Sequence, residues 1–133
     1  AAVLNIKLDY LDKQHEGRRH NGSFYNSQLS KKIQKPIISE KCSTIYNQYT
    51  LKVTNRDDFQ TYLNEHTIGN NIYYPIPLHL QECFNSLGYK LGDFPVAEKI
   101  AKEVISIPIY SELTTDQLNY VCHVINNYYN DPS

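Results

Sequence analysis

The first thirty residues place apolar side chains at helical spacing. Val3, Ile6 and Tyr10 form one stripe, and Leu4, Leu8 and Leu11 form a second beside it. A stripe that wide implies burial against more than one neighbour, such as a second domain or another subunit. Phe24, Tyr25 and Leu29 resume the pattern, so a helix is expected over residues 1 to 30 or so. Gly17 and Gly22 each weaken a helix by about 1 kcal/mol relative to alanine, which predicts a break or kink there. Residues 31 to 43 are polar, contain Pro36 and read as a linker. A second unit is expected from residue 44 to 133.

That unit opens on Thr44 to Val53, rich in β-branched and aromatic residues in rough alternation, which predicts a strand. Tyr46, Gln48 and Tyr49 take core and pairing roles on it. Thr54 or Asn55 is expected to cap a helix with Asp57 and Asp58 in its first turn and Phe59, Tyr62 and Leu63 on its buried face. Arg56 reads as a surface residue near that start. Ile68 to Tyr74 predicts a second strand. Leu78 to Leu87 predicts a short helix stopped by Gly88. The next helix begins at Asp93 or Phe94 with Pro95 in its first turn. Its stripe is Ala97, Ile100, Ala101 and Val104, and Glu98 and Lys102 form an i,i+4 pair on its solvated side. Ile105 to Tyr110 reads as a short edge strand, because Pro108 cannot donate to a central ladder. Thr114 and Gln117 spell a capping box for a last helix with Leu118, Val121, Cys122 and Ile125 inward. Asn126 to Ser133 reads as a fraying tail. The fold class is α+β: a sheet of about three strands covered by helices, preceded by a long helix.

Within this frame, residues 67 to 81 (TIGNNIYYPIPLHLQ) concentrate side chains able to contact a ligand. Proline fixes its own φ and biases the preceding residue toward extended conformations, so Tyr74 and Ile76 are expected to be extended. Two phenols and an imidazole are then presented at low entropic cost. The same residues also fit a tight strand-to-helix connection whose tyrosines cap the core. Gln81 suits either contact or capping of the turn that follows.

Composition removes several classes of function. Hydrophobic content of 41% and charged content of 20% are globular values. The net charge is −1 with no basic stripe, so no nucleic-acid surface is expected. No apolar run reaches the roughly 18 residues of a membrane span. Cys42, Cys83 and Cys122 are odd in number and widely spaced, which suits reduced thiols in a cytoplasm. The five histidines are scattered, so no metal site is expected. There is no phosphate-binding glycine loop and no G-x-S-x-G elbow. The chain also lacks methionine and opens in helical stride, which suggests a piece of a longer polypeptide.

The succession YNQYTLKV, RDDFQTYL, IGNNIYYPIPLHLQ and LGYKLGDFPVAEKIAKEVISIPIYSELTTDQL resembles the C-terminal portion of the DegT/DnrJ/EryC1/StrS sugar aminotransferases. The N-terminal AAVL…KL…L resembles that family's interdomain helix. The resemblance implies the small domain of a pyridoxal-phosphate (PLP) enzyme of the fold-type I aminotransferase class, acting as a homodimer. Such enzymes move an amino group, usually from glutamate, onto a keto carbon of a nucleotide-linked sugar. It also implies that the Schiff-base lysine and the other cofactor contacts lie in a large domain absent here, so no PLP binding or activity is expected of these residues alone. The family's H-Y-P-x-P-x-H loop matches Tyr73 to His79, with Tyr73 in place of the first histidine. This makes Tyr73, Tyr74, His79 and Gln81 the substrate-side candidates. The alternative is a non-enzymatic interaction module that docks a partner through its first helix. Direct DNA binding would need a helix-turn-helix signal that the sequence does not carry.

Overall fold

Two short strands are the floor on which the helices pack. The computed structural model describes residues 2–130. The elements, in chain order, are α1 (Ala2–Leu8), α2 (Leu11–Gln28), β1 (Tyr49–Lys52), α3 (Arg56–Glu65), α4 (Pro95–Glu103), β2 (Val104–Ile107) and α5 (Thr115–Asn130). Two 3₁₀ turns, Leu78–Leu80 and Glu82–Leu87, lie between α3 and α4. β1 and β2 are antiparallel, with Tyr49 opposite Ile107 and Leu51 opposite Ile105. These four side chains join Tyr25, Phe59, Leu63, Leu118 and Ile125 from the helices in one core.

The fold class is α+β as expected, but the sheet has two strands rather than three. The segment from Ile68 to Tyr74 meets the sheet at a single residue, where Asn71 and Ser106 exchange both backbone hydrogen bonds at 3.1 and 2.8 Å. Its neighbour Asn70 turns its side-chain amide onto Asn64 Oδ1 and the Ile68 carbonyl instead. Asparagine side chains compete with the ladder in this way, and Pro75 has no N–H to extend it. The first expected strand is also shortened. Tyr46 adopts a left-handed φ of 48° and donates its N–H to Thr44 Oγ1, so the strand begins only at Tyr49.

The N-terminal helix breaks at Asp9 and Tyr10, not at either glycine. Gly17 and Gly22 lie inside α2 at points of close approach. A Cβ on Gly17 would stand 2.9 Å from Ser111 Cβ, and one on Gly22 would run into the Tyr46 ring. With no side chain at 22, Tyr46 lies flat on the helix and accepts a hydrogen bond from Asn26 Nδ2 at 3.1 Å. Asn26 Oδ1 in turn accepts the Tyr49 hydroxyl at 2.6 Å, and Tyr25 donates to the Pro108 carbonyl at 2.9 Å. Burial raises both phenol pKa values, which keeps Tyr25 and Tyr49 protonated as donors. The buried Asn21 amide reaches the Tyr110 carbonyl at 2.8 Å.

Several polar residues expected on the surface close helix ends instead. Arg56 Nη1 donates to the carbonyls of Ala101 and Val104, both at 3.3 Å, at the C-terminus of α4. Asn126 accepts the Ser30 N–H at 2.8 Å and donates to the Gln28 carbonyl at 2.9 Å. The tail from 126 is therefore helical as far as Asn130, and Tyr128 and Tyr129 pack on Phe59. Residues 131–133 of that expectation lie outside the described residues. Ile33 is buried and Gln34 bridges to Lys52, so the polar stretch after α2 is partly packed on the sheet edge. Asn55 precedes α3 in a left-handed conformation with no side-chain cap bond, leaving Asp57 and Asp58 to meet the helix dipole. The expected capping box forms: Thr114 N–H to Gln117 Oε1 at 2.9 Å and Gln117 N–H to Thr114 Oγ1 at 3.2 Å. On α4, Ala101 is buried whereas Ile100 and Ala97 are exposed. Along α1, Val3, Leu4, Ile6 and Leu8 are all more than half exposed.

Gly22→Ala separates helix propensity from packing. Propensity alone would stabilise α2 by about 1 kcal/mol. Overlap with the Tyr46 ring should outweigh it and give a net loss of about 1–2 kcal/mol by urea unfolding. A gain in stability would show that Tyr46 is free to move aside.

Candidate functional site

The segment that carries the candidate residues leaves the sheet at Asn71 and stands clear of the core. No residue between Ile68 and Ala101 is buried. Tyr73 is 41% exposed and lines a cleft of about 300 Å³ with Arg18, Gln48, Asn71 and Tyr110. Arg18 Nη1 lies 3.4 Å from each of the Tyr46, Asn47 and Ile109 carbonyls, so this guanidinium ties three segments together at the cleft.

Tyr74 departs from the extended conformation expected before a proline. Its φ is 61°, left-handed, and its side chain is 77% exposed. A bulky residue there costs of the order of 1–3 kcal/mol and persists only where its surroundings impose it. The following proline favours an extended conformation at this position, so the left-handed φ of Tyr74 runs against the local preference.

His79 points inward. Its Nε2 lies 3.0 Å from Glu98 Oε1, and its ring packs on Phe94 with centroids 4.7 Å apart. The same Glu98 oxygen accepts the N–H of Gly92 at 2.8 Å and of Phe94 at 3.3 Å. Partial burial acts to raise the Glu98 pKa, but the Gly92 N–H, the His79 ring and the Phe94 N–H together hold it below the ordinary carboxylate value. Glu98 is thus an anion at neutral pH and is not the solvated partner of Lys102. The i,i+4 ion pair on α4 is Lys99 with Glu103, at 3.9 Å. Gln81 makes no cap for the second 3₁₀ turn; its amide lies 3.5 Å from the Ile76 carbonyl. An apolar cavity of about 310 Å³, lined by Leu78, Phe84, Leu87, Tyr89, Phe94 and Ala97, lies beside His79.

The four candidate side chains therefore do not converge on one point. Tyr73 faces the polar cleft, Tyr74 faces outward, His79 faces Glu98, and Gln81 lies along its own backbone. Arg18 and Glu98 were not singled out as site residues from the sequence. A signal for Glu98 is present: a carboxylate four residues after Phe94, in the first turn of the helix that Pro95 opens, is favoured near the helix N-terminus. Arg18 carried no such signal, since its three acceptors come from distant loops.

PLP chemistry needs an amine for the imine, a carboxylate for the ring nitrogen and donors for the phosphate. The cleft beside Tyr73 offers one guanidinium, amides and hydroxyls, but neither a lysine nor a carboxylate.

The profile of the DegT/DnrJ/EryC1/StrS aminotransferase family matches residues 1–126. Among curated relatives, a "pleiotropic regulatory protein" of Geobacillus stearothermophilus is 39% identical over 97% of this chain and 36% of its own length. The dTDP-3-amino-3,6-dideoxy-alpha-D-galactopyranose transaminase of Aneurinibacillus thermoaerophilus is 32% identical over 96% of this chain and 35% of its own length. Among solved structures, S. venezuelae DesV in complex with a ketimine intermediate superposes with a TM-score of 0.94 at 26% identity, over 99% of this chain and 36% of that one. A Brucella abortus aminotransferase superposes with a TM-score of 0.88 at 28% identity, over 98% of this chain and 35% of that one. The chain thus spans about a third of the length of these relatives. On the match of almost its whole length, the chain belongs to the DegT/DnrJ/EryC1/StrS aminotransferase family.

Proposed function

We propose that these residues are the small domain of a longer PLP-dependent aminotransferase, which transfers an amino group from glutamate to the keto carbon of a nucleotide-linked sugar. The observation that carries this reading is the family match over residues 1–126. Two relatives support the substrate class: a dTDP-sugar transaminase and a UDP-N-acetyl-3-dehydro-alpha-D-glucosamine 3-aminotransferase are 32% and 31% identical. PLP, bound by the remainder of the protein, supplies the electron sink for the reaction.

In this reading the present residues bind and orient the sugar nucleotide. Tyr73 and Tyr74 offer phenol groups that both donate to and accept from sugar hydroxyls. Their exposure leaves them free to do so. His79 and Gln81 belong to the same wall, with His79 turned toward its support. The apolar face of α1 is the surface that the remainder of the protein, or the second subunit of a homodimer, covers. The free thiols at Cys42, Cys83 and Cys122 suit a cytoplasmic enzyme.

The test is made on the full-length protein. It should bind PLP with the corresponding absorbance band and transaminate a 3- or 4-keto sugar nucleotide with glutamate, whereas residues 1–133 alone should do neither. A full-length protein lacking both properties would refute the reading. Tyr73→Phe removes one hydrogen bond and should raise KM for the sugar nucleotide about five-fold with kcat little changed. An unchanged KM would take Tyr73 out of the substrate wall.

A further inference from the structure

One carboxylate oxygen gathers three donors from separate pieces of the exposed lobe. Glu98 Oε1 meets His79 Nε2 at 3.0 Å, Gly92 N–H at 2.8 Å and Phe94 N–H at 3.3 Å. His79 belongs to the first 3₁₀ turn, immediately after the proline segment that carries Tyr73 and Tyr74. Gly92 lies in the loop before α4, at a φ of 99°, and Phe94 is the N-cap position of α4. The side chains of His79 and Glu98 are only 8% and 11% exposed in a lobe with no buried core residue. The Phe94 ring closes over the imidazole.

We propose that Glu98 is a positioning residue for the sugar-nucleotide half of the reaction, holding the Tyr73–Gln81 wall against the start of α4 through His79. The inference rests on the aminotransferase reading above. The physical reason is the shortage of other restraints. No side chain between Ile68 and Ala101 is fully buried, and past Ile72, which packs half-buried on the core, the geometry of the wall depends mainly on the hydrogen bonds that cross it. A charged acceptor strengthens each of them. Glu98 itself never touches substrate in this proposal. Its carboxylate fixes the imidazole, the imidazole fixes the turn at Leu78–Leu80, and the turn fixes the prolines before it.

The two halves of the transaminase cycle separate this role from a general structural one. The donor half-reaction uses the cofactor and the amino acid, and is read as the rate at which glutamate discharges the cofactor absorbance in the absence of sugar. The acceptor half-reaction uses the wall. In the full-length enzyme, Glu98→Ala should raise KM for the sugar nucleotide by roughly ten-fold or more while leaving the donor half-reaction within about two-fold of wild type. Glu98→Gln keeps an oxygen that can accept the two backbone N–H groups, so it should recover most of that loss. Hydrogen exchange provides a readout independent of turnover: the Gly92 and Phe94 amides should exchange faster in the alanine variant and near the wild-type rate in the glutamine one.

A sugar-nucleotide KM unchanged in the alanine variant overturns the inference, as does equal damage to both half-reactions in the glutamine variant. If the alanine variant does not fold, Glu98→Asp, whose shorter carboxylate falls short of the three donors, replaces it: a wild-type donor half-reaction with a raised sugar KM supports the role, and an unchanged KM overturns it. A wild-type protein that transaminates no sugar nucleotide refutes the aminotransferase reading and the inference with it. An active wild type with an indifferent Glu98 refutes the inference alone.

Discussion

The distribution of burial along the chain constrains everything else. From α2 to Ile68, and again from Ala101 to the end of α5, side chains feed a single core on the β1–β2 pair. Between those limits no side chain is fully buried and Ile72 reaches that core half-buried, whereas Tyr74, Ile76, Leu78, Leu87, Leu91 and Val96 are all more than half exposed. An apolar surface of that extent, together with the bare face of α1, is characteristic of an interface. The molecule is thus divided into a part that carries its own hydrophobic stabilisation and a lobe held by hydrogen bonds at a few points. Those points are the Asn71–Ser106 bridge, the direct passage of α4 into β2, and the Glu98 oxygen.

This division bears on function. The core fixes where the lobe begins and ends, because Asn71 bridges to Ser106 on β2 and Ala101, in the last turn of α4, is buried. The lobe then carries Tyr73 over the cleft beside Arg18 and leaves Tyr74 exposed to solvent. The strained φ of Tyr74 and the inward turn of His79 are local features of the same lobe. In the proposed function such an arrangement is an advantage, since a wall with little core of its own can adjust to the domain against which it closes.

Much of the core was legible in the sequence because it follows from periodicity and from residues with one local meaning. The Thr114–Gln117 box, the start of α4 beside Pro95 and the inward stripe of α5 are of that kind. Misreadings arose where a local rule met a distant partner. Gly22 reads as a helix breaker until Tyr46 is seen to occupy its place, and Arg56 reads as surface until the end of α4 arrives above it. Asn126 marks the start of a tail by composition, yet it closes α2 from the opposite end of the chain. The lost third strand follows from Asn70 spending its amide locally. In the candidate site, residue types were readable but orientations were not. Nothing in YYPIPLH indicates that the histidine turns in while the second tyrosine turns out.

In the proposed full-length enzyme the lobe from Tyr73 to Ala97, tied together internally by Glu98, is held in place by the rest of the protein. Residue-resolved hydrogen exchange, run on residues 1–133 and on the full-length protein under the same conditions, tests it directly. Amides of β1, β2 and α5 should be protected in both, while those from Tyr73 to Ala97, apart from Gly92 and Phe94 on the Glu98 carboxylate, should exchange rapidly in the short chain and slowly in the long one. Equal protection of the lobe in the two proteins would show that it is self-sufficient and would contradict the claim.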